Sequence, residues 1–204
     1  YFDMEGDRVN HPQRPLPSGR MEPGNAVFFA SVLFAISVLI AALLSFLSPL
    51  GFWVMFMVLL ALIIEVMYEW RLKRHYLGSN LAISTLTGMA FVFGGVVVGN
   101  VEITLFMGLL AFLSIYGREI LKDIEDLQGD TDRETLPRVF GVVVASRLAS
   151  VSILAAVILS PLPYFLGLLS LYYLPIVLAA DCVFIFSAIF QNPAMASKTV
   201  KYAM

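Results

Sequence analysis

Charge is scarce in this chain. Asp, Glu, Lys and Arg make up 14% of its 204 residues, 59% are hydrophobic, and the mean hydropathy is +0.86. A water-soluble domain carries about a quarter charged residues, so a soluble globular fold is excluded. Cysteine is nearly absent. The single Cys182 forms no intrachain disulfide, and the redox compartment is not legible from it. The two histidines, His11 and His75, have no metal-ligand partner at a useful spacing, which argues against a zinc site. There is no Ser/His/Asp or Cys/His nucleophile set and no phosphate-binding glycine loop. The chain opens polar and acidic, without a basic region before an apolar core, so no signal peptide is expected. No nucleic-acid partner is expected.

Long apolar runs are what the sequence has instead. Six of them fall at 25–46, 50–70, 81–98, 103–116, 139–159 and 163–190. A helix needs about 20 residues to cross ~30 Å of hydrocarbon, and each run reaches that length with its flanks. They are too long for β-barrel strands. The expected fold is all-α, a polytopic transmembrane helical bundle with at least six spanning helices. Gly95 and Gly99 stand at the spacing of close helix packing. Pro12, Pro15, Pro17 and Pro23 exclude a continuous helix after about Asn10 and predict an extended loop over the rest of 1–23.

The charges are segregated. The connections at 48–49, 99–102 and 160–163 are nearly uncharged, whereas 1–23, 71–75, 118–138 and 198–201 carry the bases, with Arg147 slightly inside the fifth run. With six spans all four charged segments fall on one side, which the positive-inside rule makes cytoplasmic.

One charged segment, 116–141, places Glu119, Asp123, Asp126 and Asp130 four, three and four residues apart. On a helix these share one face. Like charges so stacked repel, so such a face is useful mainly when a cation neutralises it. The start of the chain echoes it: Asp3-Met4-Glu5-Gly6-Asp7 matches Asp126-Leu127-Gln128-Gly129-Asp130, and Leu16-Pro17 matches Leu136-Pro137. A duplication is favoured over chance. Two acidic turns on one side would hold hard cations, and Mg²⁺ suits a few carboxylates plus phosphate oxygens. The plainer alternative is a solvated interfacial face. Arg8, Arg14, Lys73, Arg74, Arg118 and Lys122 lie on the same side. Each alone is more often a topology anchor, while a few would clamp phosphate oxygens, Lys73 and Lys122 being the better candidates. Glu65 and Glu69 read as interfacial. Asp181, inside an apolar run, is a functional candidate or, equally, a structural partner for a hydroxyl on a neighbouring helix.

These residues resemble the UbiA-type intramembrane prenyltransferases. Asp3, Asp7, Arg8, Asn10 and the run Arg14–Gly19 follow that superfamily's first aspartate-rich motif. Arg118-Glu119-Ile120, Lys122 to Asp126, Gly129-Asp130 and Thr135-Leu136-Pro137 follow its second, in a form closest to archaeal digeranylgeranylglyceryl phosphate synthases. Tyr68 to Lys73, with Gly78 and Asn80, resembles the Tyr…Lys segment between them. The resemblance implies one transmembrane domain over 1–204 and a family pattern of nine helices around a lipid-open cavity. The first helix, most of the second and the last would lie outside this stretch.

The chemistry it implies is Mg²⁺-dependent transfer of a prenyl group, geranylgeranyl in the archaeal subgroup, from its diphosphate to the hydroxyl of a geranylgeranylglyceryl phosphate. Asp3, Asp7, Asp123 and Asp126 would be catalytic. The metal set would be these four with Glu119 and Asp130. Lys73, Lys122, Arg8, Arg14, Arg118, Tyr68 and Asn10 would bind the diphosphate. An aromatic acceptor on the same fold, and a divalent-cation transporter with acidic ion entries, are the competing readings.

Overall fold

The computed structural model describes Met4, Asp7, Arg8 and residues 12–127 and 133–189, the side chains of 186–189 excepted. Among the described residues there are helices and turns and no strand. Within those residues eight α-helices of four residues or more follow in chain order.

Helix α1, Pro23–Leu47, opens with proline in its first turn, where the missing N–H costs nothing. It stops at Ser48 because Pro49 forces the preceding residue out of the helical region, and Ser48 is extended (φ −86°, ψ 139°). Ser48 Oγ then donates to Val96 O at 2.8 Å and accepts from Leu50 N at 3.1 Å, tying the turn to a third helix. Helix α2 spans Gly51–Trp70, and a 3₁₀ turn follows at Leu72–Arg74. Helix α3, Gly78–Val98, is closed by Gly99 in the left-handed region (φ 83°), whose N–H returns to Gly95 O. Helix α4, Glu102–Glu125, ends with Asp126 as its cap. Short helix α5, Leu136–Phe140, leads through Gly141 (φ 84°) into α6, Val142–Leu159. Then come α7, Leu162–Phe165, and α8, Tyr173–Ile189.

Consecutive long helices pack on one another, α1 on α2, α2 on α3, α3 on α4, α4 on α6 and α6 on α8. Short connections make these neighbours antiparallel. Pro49 and Gly99 therefore meet at one end of the bundle. The charged segments meet at the other, where Glu134 N donates to Arg74 O. Five stretches of 20–25 residues are long and apolar enough to cross a membrane, about 30–37 Å at 1.5 Å per residue. Exposed apolar side chains such as Phe28, Phe46 and Phe52 face what would be lipid. The chain is a multi-pass membrane protein.

Three expectations change. The sixth apolar run is not one continuous helix: it divides into α7 and the longer apolar α8 around Gly167 (φ 73°), a backbone conformation that glycine adopts without the strain of a Cβ. Residues 12–22 are compact turns, with Ser18 N on Arg14 O and Met21 N on Pro15 O, because Pro15 and Pro17 preset turn dihedrals. Gly99 is a helix cap, whereas Gly95 does sit at a close contact with α4, where a Cβ would collide with Thr104; a second close approach of α3 and α4, backbone to backbone, is at Gly88 and Gly108.

Asp181 takes the structural reading. It is buried on α8 and accepts from Ser160 Oγ at 2.5 Å, while Tyr173 Oη donates to Ser160 O at 2.8 Å. This group staples the break between α6 and α8 at the end away from the charged segments. Asp181→Ala leaves the Ser160 hydroxyl only its backbone acceptor, Val157 O at 3.0 Å, and is expected to cost about 1 kcal/mol, read as a lower melting midpoint in detergent. Asp181→Asn keeps an acceptor oxygen and should cost less.

Candidate functional site

The charged end of the bundle is assembled from three short pieces. On the last turns of α4 stand Arg118, Glu119, Lys122 and Asp123. The four-carboxylate face expected from the spacing is cut short, because α4 ends at Glu125 and Asp126 is its exposed cap. Asp, Gly and Gln crowd the sequence from Asp126 on, and the first two are weak helix formers. Asp130 lies outside the described residues, as do Asp3 and Asn10. Glu119 and Asp123 remain one turn apart on the helix.

Their environments differ. Glu119 is buried, with Arg118 Nη1 at 2.7 Å from Oε1 and Lys122 Nζ at 3.9 Å from Oε2. Its charge is met by two bases of its own helix. Arg118 keeps a buried Nε with no acceptor among the described residues, a donor available to an anion. Asp123 is half-buried, and Asn80 Nδ2 donates to its Oδ2 at 2.9 Å. Asn80 is itself 1% exposed in the first turn of α3. Ser84 Oγ anchors that turn on Asn80 O at 2.6 Å.

The second piece is the end of α2. Lys73 Nζ lies 3.4 Å from Glu69 Oε2 and 5.8 Å from the Tyr68 ring centroid, a cation held between a carboxylate and a π face. The third piece is the N-terminal turn, where Arg14 Nη1 spans both carboxylate oxygens of Asp7 at 2.7 and 2.9 Å and Arg8 is exposed. The segment after α4 folds back over this end: Arg138 Nη2 donates to Leu127 O, and Phe140 packs edge-on against Tyr76.

Beneath these groups a cavity of about 930 Å³ opens between α1, α2 and α3. This is at the upper end of the ~300–1,000 Å³ typical of small-molecule sites. Its wall is mainly apolar, with Val27, Phe34, Ile83 and Leu86, and its polar lining includes Tyr68, Glu65, Glu69 and Thr87. On α3, Asn80, Ile83 and Thr87 stand three and seven residues apart and so share one stripe. The stripe that lines the cavity thus ends at the amide that holds Asp123. Among the described residues no three Asp, Glu, His or Cys side chains converge as a metal cage.

The structure therefore brings together Tyr68, Lys73 and the cavity on one side, and Arg118, Glu119, Lys122 and Asp123 on the other, joined through Asn80. Asp7 and Arg14 pair with each other, and Asp126 points outward. In the sequence Asn80 stands out only as part of a motif, and Glu65 and Glu69 read as interfacial. The signal for Asn80 was present: Asn80, Ser84 and Thr87 form a polar stripe in an otherwise apolar helix. Nothing in one dimension separates a cavity-facing Glu65 from an interfacial one.

The family model described as UbiA prenyltransferase family matches residues 1–203. Among curated proteins, a digeranylgeranylglyceryl phosphate synthase of Methanosphaera stadtmanae is 38% identical over 92% of this chain and 68% of its own length. The synthases of the same name from Methanothermobacter thermautotrophicus and Methanosarcina mazei are 41% and 42% identical, over 97% and 100% of this chain and 70% and 71% of their own. A solved chain reported under "Structural and mechanistic insights into the biosynthesis of Digeranylgeranylglyceryl phosphate synthase in membranes" superimposes with a TM-score of 0.79 at 32% identity, over 99% of this chain and 72% of that one.

Proposed function

The chain belongs to the UbiA prenyltransferase family, and from that premise we propose that it transfers a geranylgeranyl group from its diphosphate to the free hydroxyl of a geranylgeranylglyceryl phosphate. The product is an ether of an archaeal-type membrane lipid. The names and identity levels of its relatives support this acceptor. The observation that carries the reading is the apolar cavity, whose α3 wall at Thr87 and Ile83 leads one turn further to Asn80, the amide that holds Asp123. A prenyl chain needs an apolar tunnel, and its diphosphate needs cations at the mouth. The charge pattern supports a cytoplasmic mouth.

The donor set suits Mg²⁺. Carboxylate oxygens of Asp123 and Asp126, with Asp7, Asp3 and Asp130 of the paired motif and Glu119 behind them, are hard ligands, and a few of these plus phosphate oxygens meet its preference. Bound there, the cation would supply Lewis-acid stabilisation of the leaving diphosphate. The chain's own residues do the rest. Asn80 fixes the Asp123 carboxylate by its hydrogen bond. Arg118, through its unused Nε, and Lys122 and Lys73 meet phosphate charge, with Arg8 and Arg14 from the first motif and Tyr68 and Asn10 beside them. The apolar wall excludes water, so the allylic centre meets the acceptor hydroxyl before a competing nucleophile.

The test is transfer by the full-length protein in membranes, with labelled geranylgeranyl diphosphate and a panel of acceptors. An ether product with the glyceryl phosphate acceptor, lost on adding EDTA and restored by Mg²⁺, is expected. Product formed only with aromatic acceptors, or Mg²⁺ flux into liposomes without prenyl substrate, would overturn the reading.

A further inference from the structure

The cavity holds a carboxylate that diphosphate binding does not use. Glu65 and Glu69 both line it. Glu69 is met by Lys73 at 3.4 Å. Glu65 is exposed and has no hydrogen-bond or ion-pair partner among the described residues. It stands five residues before the end of α2 at Trp70, about 7.5 Å down the helix axis, beneath the Lys73 and Glu69 pair. A carboxylate at that depth is costly against hydrocarbon and marks a polar occupant. The facing walls offer no cation. From α1 the lining groups are Ala, Val, Phe and Ser31, and from α3 they are Ile83, Leu86 and Thr87. An anionic acceptor oxygen flanked by neutral hydroxyls suits a ligand that brings its own O–H donor.

We propose that Glu65 binds the hydroxyl of the acceptor alcohol and takes its proton during transfer. The proposal rests on the transfer reading above and names the group that makes an alcohol the acceptor. An alcohol oxygen is a weak nucleophile until its proton has somewhere to go. The bond between the allylic carbon and the diphosphate oxygen breaks, and its electron pair leaves with the diphosphate. A lone pair of the acceptor oxygen forms the new ether bond. The hydroxyl proton passes to the Glu65 carboxylate and from there to water at the cavity mouth, which restores the carboxylate. Ser31 and Thr87, on the facing walls, already donate their hydroxyl protons to Val27 O and Ile83 O, each at 2.9 Å, so neither offers the acceptor oxygen a proton, and as neutral oxygens they are weaker bases than the Glu65 carboxylate.

The experiment uses full-length protein in lipid nanodiscs with geranylgeranyl diphosphate and geranylgeranylglyceryl phosphate. It follows ether formation and, separately, binding of the prenyl diphosphate. Glu65→Gln should slow transfer about a hundredfold, the lower end of what a positioned base contributes, with prenyl diphosphate binding unchanged. Glu65→Asp, which keeps the carboxylate, should recover part of the rate. Wild-type transfer by Glu65→Gln, or parallel loss of transfer and prenyl diphosphate binding, would overturn the assignment. No ether product from the wild-type protein is a different result, because it removes the transfer reading itself and this assignment with it.

Discussion

Asp123→Ala should lower prenyl transfer by roughly a thousandfold, the scale seen when one preorganised electrostatic group is removed from an active site, and leave the fold intact. Asp123 is half-buried at the polar end of α4, so its loss opens no apolar void. It does leave the Asn80 amide, which is 1% exposed, without the carboxylate that accepts from it at 2.9 Å. That costs about 1–3 kcal/mol. The activity loss should far exceed what this destabilisation explains. Asp123→Asn separates the two effects, since it keeps size and a hydrogen-bonding oxygen but removes the charge a cation or phosphate cluster would need. The Asn variant should melt near the wild-type midpoint and be nearly as inactive as the Ala variant. The check is steady-state transfer with full-length enzyme alongside a melting curve in the same detergent. Full activity in Asp123→Ala would remove the residue from the site.

Gly108→Leu should lower stability strongly. A Cβ on Gly108 would lie 2.8 Å from the carbonyl oxygen of Gly88 and 2.9 Å from Val92 Cγ2, and one on Gly88 would lie 2.8 Å from the carbonyl oxygen of Gly108. The two backbones approach with no side chain between them, the geometry small residues permit in membrane helices. Two effects oppose each other. Replacing an interior helical glycine gains about 1 kcal/mol of helix propensity. Overpacking a close contact costs about 1–3 kcal/mol, and more where the obstacle is backbone. Here the obstacle is a backbone carbonyl on the facing helix, so steric cost wins and α3 must move away from α4. Because Asn80 on α3 and Asp123 on α4 meet across this same pair, activity should fall with stability. Gly94→Ala is the control. An added Cβ there meets nothing within 4 Å, so it should be neutral or slightly stabilising. Melting midpoints of the two variants, measured together, decide the point.

How much of this was readable beforehand can be followed residue by residue. The spans α1 to α4 were legible to within three residues at most ends, because a run of some 20 apolar residues has one stable form in a bilayer. The end of α1 was written in Ser48-Pro49. The broken sixth run was not legible. Residues 163–190 are apolar but for Ser170, Asp181 and Ser187, and hydropathy does not register the turn that Gly167 and its neighbours make. The stripe of four carboxylates was half right. Spacing alone put Glu119 and Asp123 on one face, but it had no means of ending the helix at Glu125 or of giving Glu119 to Arg118 and Lys122.

Composition and charge segregation determined by themselves that this is a helical membrane protein with its charged segments gathered apart from its apolar runs, since these depend on local transfer free energies and on the linear order of residues. Only the tertiary structure decided which carboxylates are spent on neighbours and which stay open. Asp7 faces Arg14, Asp181 faces Ser160, Asp123 takes the Asn80 amide from 43 residues away, and Glu65 looks into a cavity that three helices must meet to enclose. Pairing of that kind is a property of distances in space, and one strand of letters carries no record of it.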